Sequence, residues 1–283
     1  MNKGLKIQNL CSIANVSASG YYYWQKNKGN KAKNDEKSRE LIEDIFNLKK
    51  KKAGIRTIKM ILENKHRVVM NLKKIARIKK EYDLETKVRK KNKYNIFAKK
   101  QLESRTSSNL LERKFNQKTP DEVYSTDISY LFYSNGRKAY LSATKDLATK
   151  EIVCFSVNNN IGLEIVHLGM DGLLSSLEEG KRQNLIIHSD QGFHYTHPIY
   201  VNKLKEFGVI QSMSRKGNCL DNAPIESFFG HMKDEVELKT CKTFEEVKNM
   251  IESYINYYNN ERYQWGLNKM TPAQYRRHLL KET

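Results

Sequence analysis

A chain of 283 residues, 39% of them apolar, can bury one or two cores; its mean hydropathy is −0.74, and no run of about 18 apolar residues offers a membrane span. Its four cysteines form no CxxC pair, which argues against structural zinc, and no apolar secretion core opens the chain, so a cytoplasmic protein with reduced thiols is expected. The net charge of +19 is uneven: residues 1–118 hold 32 Lys and Arg against 11 Asp and Glu, net +21, and the remainder is net −2, the pattern of a polyanion-binding arm joined to a separate working domain.

In chain order, residues 5–27 read as a short helix, a turn and a second helix, with Ser17 or Ser19 as the second helix's cap and Tyr21 to Trp24 as packing residues. Residues 1–34 form this N-terminal helical segment. Residues 35–86 form a helix-turn-helix-like domain. Its first helix, 35–50, carries the stripe Leu41, Ile42, Ile45, Phe46 and Leu48, and Gly54 breaks the pattern. Two short amphipathic helices follow over 56–64 and 71–82. In the latter Leu72, Ile75 and Ile78 are expected inside, and Lys73, Lys74, Arg77, Lys79 and Lys80 outside. One-signed charge on such a face suits DNA phosphates, and Lys73, Lys74 and Arg77 are the candidate contacts. Residues 87–118 are polar and basic and read as a linker.

From 119 to 283 the pattern changes to that of an α/β domain. Residues 122–133, 138–145, 151–157, 184–189 and 209–213 read as strands, with Asn135-Gly136 as a hairpin turn. Residues 162–179, 197–207, 244–260 and a segment opening at Thr271-Pro272 read as helices, giving a mixed five-stranded sheet flanked by helices. A further helix opens at Asp221-Asn222-Ala223-Pro224, with Asn222 as cap and Pro224 in its first turn.

Three carboxylates stand at telling places. Asp127 is a charge in the middle of the first strand, costly without a partner. Asp190 lies where the buried strand ends, ahead of Gly192, the position at which α/β sheets gather ligands. Glu226 falls in the first turn of the helix that opens at Asp221. Three oxygen ligands that converge suit hard Mg²⁺ or Mn²⁺, and two such ions can serve phosphoryl transfer. Lys233 follows Glu226 by seven residues, on the same helix face, where it can meet a phosphate chain. Ile225, Phe228, Phe229 and Met232 are expected to pack on the sheet. His194 and His197 read as part of a loop near the site rather than as a metal pair.

The stretches Ser125-Thr126-Asp127-Ile128-Ser129, His188-Ser189-Asp190-Gln191-Gly192, Asp221 through Phe229, Tyr257-Tyr258-Asn259-Asn260-Glu261-Arg262 and Thr271-Pro272-Ala273-Gln274-Tyr275 resemble the OrfB product of the insertion-sequence-three family of bacterial transposases. The 35 residues between Asp190 and Glu226, with Lys233 trailing, match the DD(35)E signature shared with retroviral integrases. The resemblance implies a ribonuclease-H-like core, with Asp127, Asp190 and Glu226 as catalytic metal ligands for two Mg²⁺ or Mn²⁺ ions. It implies 3′-end cleavage and strand transfer on double-stranded DNA bearing inverted-repeat ends, without a covalent protein–DNA intermediate. It also implies a homo-oligomer on DNA and an OrfA product as partner or fusion. Two other readings stay open: a catalytically silent DNA-binding remnant or regulator, and a hydrolytic nuclease of the same fold.

Overall fold

The structure, a computed structural model, describes residues 6–86, 107–215 and 219–282, and the side chains of all of these except 27–34, 219 and 282. The chain divides into two compact units, Met1–Lys87 and Val88–Thr283. Residues 87–106 of the expected linker lie outside the described residues.

In the first unit, α1 (Ile7–Ile13) is followed by α2 (Ala18–Leu48), whose start is capped by the Ser17 hydroxyl accepting from the Gly20 amide at 3.0 Å. The two helices expected over 18–27 and 35–50 are one 31-residue helix. Nothing between them stops a helix: Gly29 alone costs only about 1 kcal/mol relative to alanine, and there is no proline. Ile42, Ile45 and Phe46 from α2 are buried with residues of α3 (Ile55–Lys65) and with Ile75 and Ile78 of α4 (Leu72–Glu81). Leu48 is exposed, and so are Tyr22, Tyr23 and Trp24, which corrects their assignment as packing residues. Lys79 also differs from expectation. Its aliphatic stem turns inward, its ammonium sits 4.0 Å over the Phe46 ring and donates to the Thr86 hydroxyl at 3.0 Å, and burial lowers its pKa.

The second unit is built on a five-stranded sheet in the order β3-β2-β1-β4-β5. The strands are β1 (Val123–Tyr133), β2 (Arg137–Asp146), β3 (Ile152–Asn158), β4 (Ile186–Ser189) and β5 (Ile210–Met213). β1, β2 and β3 are antiparallel neighbours, while β4 and β5 run parallel to β1. The turn from β1 to β2 uses Asn135 and Gly136, both at positive φ, as the Asn-Gly pair predicts. The helices are α5 (Glu164–Ser176), α6 (Glu179–Asn184), α7 (Phe193–Thr196), α8 (Pro198–Glu206), α9 (Ala223–Glu235), α10 (Phe244–Asn260) and α11 (Pro272–Glu282). One sheet face packs Leu131, Leu141 and Ala143 on Ile225, Phe228, Phe229 and Met232 of α9 and on the apolar stripe of α10. The other packs Tyr124 and Ile187 on α5, Tyr195 and α8. This is the ribonuclease-H-like arrangement expected from the sequence.

Residues 107–118, assigned to the linker, belong to this unit. Leu111 is buried with Val123 and Leu147, and Ser108 accepts from the Met213 amide at 3.2 Å. Their polarity hid a docked strap anchored by one leucine. A chain starting at Ser107 is therefore expected to be at least about 2 kcal/mol more stable to urea than one starting at Thr119, the lower cost of removing a buried leucine. Equal midpoints for the two would show that the strap contributes nothing.

Candidate active site

β1 and β4 pair in parallel as Val123 with Ile186, Tyr124 with Ile187 and Ser125 with His188. Asp127 lies on β1 two residues beyond Ser125, and Asp190 lies two residues beyond His188, just past the end of β4. β4 stops at Ser189 while β1 runs on to Tyr133, so this pair lies where the parallel strands part. Strand alternation puts Asp127 on the face of Leu131, the face covered by α9. The Asp127 carboxylate accepts from the Ile128 amide at 2.8 Å, and Asp190 accepts from the Gly192 amide at 2.8 Å. A Cβ at Gly192 would meet the Asp190 Oδ1 at 2.7 Å, so this turn needs glycine to close on the carboxylate. Both aspartates are half-buried. Their charges reach the buried Tyr195 hydroxyl, whose pKa is driven far up by burial first and then by the Asp127 charge, with a smaller contribution from Asp190.

Glu226 is exposed in the first turn of α9, on the helix that covers the Asp127 face. Lys233, half-buried, is two turns along the same helix. Among the described residues, no three His, Cys, Asp or Glu side chains are already gathered tightly enough to hold a metal. Asp127 and Asp190 thus follow the paired residues of neighbouring parallel strands, and Glu226 stands on the helix packed on the Asp127 face.

Beneath the start of α9 is a buried polar layer that sequence reasoning missed. Asn222, expected as the helix cap, makes no capping bond. Its Oδ1 instead accepts from the Ser125 hydroxyl at 2.8 Å. Lys145, only 4% exposed, donates to the Pro224 carbonyl at 3.0 Å; burial and the nearby Arg262 charge bring its pKa down to about 7. The fully buried Asp221 carboxylate accepts from Arg215 Nε at 2.9 Å, Arg113 Nε at 2.8 Å and Asn109 Nδ2 at 3.0 Å. These guanidinium bonds, Arg215 foremost, hold its pKa well below the usual carboxylate range despite burial. Asn109 and Arg113 come from the strap. His188 is buried with its Nδ1 2.9 Å from the Ser212 hydroxyl, and burial lowers its pKa.

The Tyr257–Arg262 motif supports α9 from behind. Tyr258 packs against Phe228, Arg262 donates to Glu235 at the end of α9 at 2.7 Å, and Asn259 exchanges two hydrogen bonds with the Ile152 backbone, both at 3.0 Å. His194 Nε2 lies 3.0 Å from the Ile161 carbonyl, and His197 Nδ1 accepts from the Ile199 amide at the start of α8. In the first unit Lys73 is exposed, whereas Lys74 pairs with Asp35 at 3.2 Å and Arg77 pairs with both Asp35 and Glu81 at 2.9 Å. The outer face of α4 is therefore less one-signed than its sequence suggests.

Comparison with known proteins places these features. Residues 117–219 and 226–280 match two integrase core domain models, and residues 33–92 match an HTH-like domain. The chain is 33% identical to the InsK protein for insertion sequence element IS150 of Escherichia coli K12, over 95% of this chain and 93% of that protein. It is 30% identical to the transposase for insertion sequence element IS904 of Lactococcus lactis, over 84% of this chain and 93% of that one. Transposase InsF for insertion sequence IS3A of E. coli K12 is 28% identical, over 81% of this chain and 78% of its own length. Among solved structures, the catalytic core domain of BIV integrase matches with a TM-score of 0.43 and 17% identity, over 57% of this chain and 97% of that one. With its HTH-like domain, its integrase core and full-length relatives among insertion-element proteins, the chain belongs to the insertion-sequence-three family of transposases and is an enzyme of the DDE transposase and integrase type.

Proposed function

We propose that this enzyme cleaves the ends of an insertion element and joins the freed 3′-OH to target DNA by phosphoryl transfer at Asp127, Asp190 and Glu226. The observation that supports the reading is that Asp127 and Asp190 each lie two residues beyond the last paired residues of neighbouring parallel strands, while the first turn of the helix packed on that sheet face bears Glu226. The donor set is all carboxylate oxygen, which fits hard Mg²⁺ or Mn²⁺ better than metals that favour thiolate or imidazole. Asp127 and Asp190 would hold the ions between them, and Glu226 would complete the set by turning its exposed side chain toward the pair. When bound, two such ions lower the pKa of an attacking oxygen and stabilise the leaving one at phosphorus. The chain's own part is to align the carboxylates and to hold the phosphate chain. Lys233, on the same helix as Glu226, is the residue proposed to grip that chain near the scissile bond.

Double-stranded DNA carrying inverted-repeat ends is the proposed substrate. The net charge of +21 over residues 1–118 supports the proposal that this region supplies most of the phosphate contact, with Lys73 the most open candidate on α4. Lys74 and Arg77 would exchange Asp35 for phosphate on binding. Assembly of several copies on DNA, pairing with an OrfA product and a place at the nucleoid are proposed with it.

The experiment is an Mg²⁺-dependent assay with labelled element ends and a supercoiled target, run with the full chain. Cleavage plus joined product is expected. Cleavage without joining would make the protein a nuclease, and binding without either would make it a silent DNA-binding remnant.

A further inference from the structure

The buried polar layer under α9 contains a lysine where packing alone would favour methionine or leucine. Among the described residues its ammonium donates to the Pro224 backbone carbonyl, and the charge that bears on it is the like charge of Arg262. A buried ammonium-bearing side chain of this kind costs stability unless its contacts offset the burial.

The contact is well placed to matter. Ser125 on β1 and Lys145 on β2 are direct cross-strand partners. They share the α9 face with Asp127, which is two residues further along β1. Ser125 holds the Asn222 side chain and Lys145 holds the Pro224 carbonyl, so one cross-strand pair grips both sides of the turn that starts the helix. The Ser227 hydroxyl donates to the same Pro224 carbonyl at 2.7 Å, closing the first turn on the grip. Asp127 lies two residues beyond one held point, and Glu226 lies two residues beyond another. The backbone that carries Glu226 is thereby tied to the strand pair that carries Asp127.

We propose that Lys145 and Ser125 are positioning residues for Glu226, seating the Asn222–Pro224 turn on β1 and β2 so that the third carboxylate meets the aspartate pair. The proposal rests on the reading of Glu226 as the third metal-binding carboxylate. Lys145 acts in this proposal through the backbone carbonyl of Pro224. A neutral amine also donates a hydrogen bond, so the seat persists above neutral pH.

Two variants test it, Lys145→Met, which keeps the stem and removes the donor, and Ser125→Ala, which removes only the hydroxyl. Two readouts are taken on the full chain. The first is amide hydrogen exchange over Ile225–Phe229 in metal-free protein, expected to speed up by about tenfold while α10 is unchanged. The second is the single-turnover cleavage rate at saturating DNA against Mg²⁺ concentration. The rate is expected to fall by roughly 10–100-fold and the half-saturating Mg²⁺ to rise, with DNA affinity unaltered, as for other groups that orient metal ligands. Exchange and cleavage both within about twofold of the parent chain would overturn the proposal. If Lys145→Met fails to fold, Ser125→Ala decides alone. If the parent chain neither cuts nor joins DNA, the functional reading falls, while the exchange measurement still tells whether the pair holds the turn.

Discussion

Replacing Asp127 or Asp190 by asparagine is expected to lower end cleavage by more than about 1,000-fold, equivalent to ~4 kcal/mol of lost barrier reduction, while leaving the affinity for DNA nearly unchanged. The amide has the size of the carboxylate and keeps one oxygen for the neighbouring backbone N–H at Ile128 or Gly192. What it loses is charge, and an amide beside the one remaining aspartate holds two divalent cations poorly against their hydration. Affinity stays because the phosphate contact is assigned to the basic first 118 residues, not to the half-buried aspartates. The measurement is end cleavage under Mg²⁺ beside a binding titration at fixed salt. Cleavage by either variant at the parent rate would remove these residues from the chemistry. A parallel collapse of DNA affinity would instead place them in the DNA contact.

The largest stability effect is expected far from that chemistry, at Arg276 on α11. Its guanidinium donates to both oxygens of Asp121, at 3.0 and 2.9 Å, to Asp146 at 3.1 Å, and to Glu151. Asp146 is fully buried at the end of β2, and burial raises its pKa; Asp121, just before β1, keeps a lowered one because Arg276 and the Tyr124 hydroxyl outweigh its burial. Arg276→Ala would leave these acids together without their main cation, a change that costs about 3–5 kcal/mol and lowers the melting temperature by on the order of 10 °C. Joining it with Asp121→Asn should recover part of the loss. A single variant that melts within about 2 °C of the parent would show that solvent or Lys181, whose ammonium is 3.9 Å from Asp121, already carries the charge.

The sequence was most legible where one physical requirement dominates a segment. The α10 stripe from Val247 to Tyr258 and the Asn-Gly turn have a single solution each, and both are found. The fold class followed from strand and helix order. The positions of Asp127, mid-strand, Asp190, just past a strand end, and Glu226, in a first helical turn, were also readable, since each needs only local pattern. What could not be read depends on contacts between distant segments. Asn222 looks like a cap by every local rule, yet Ser125, 97 positions away, claims its side chain. Lys145 looks like a solvated strand lysine until α9 closes over it. Lys79 obeys the helical wheel only until Phe46 offers its ring. Polar side chains declare their partners in three dimensions, whereas apolar periodicity declares its face in one.

The strap and the α10 asparagine have a joint consequence for how copies of the chain can meet. β5 and β3 are the two outer strands of the sheet. On the β5 side the Met213 amide is taken by Ser108, and on the β3 side both backbone groups of Ile152 are taken by Asn259. A strand from another molecule finds neither a free amide at Met213 nor a free amide and carbonyl pair at Ile152, so pairing at these two points would first have to displace Ser108 or Asn259. A chain trimmed past the strap would betray itself first by sticking to its own kind.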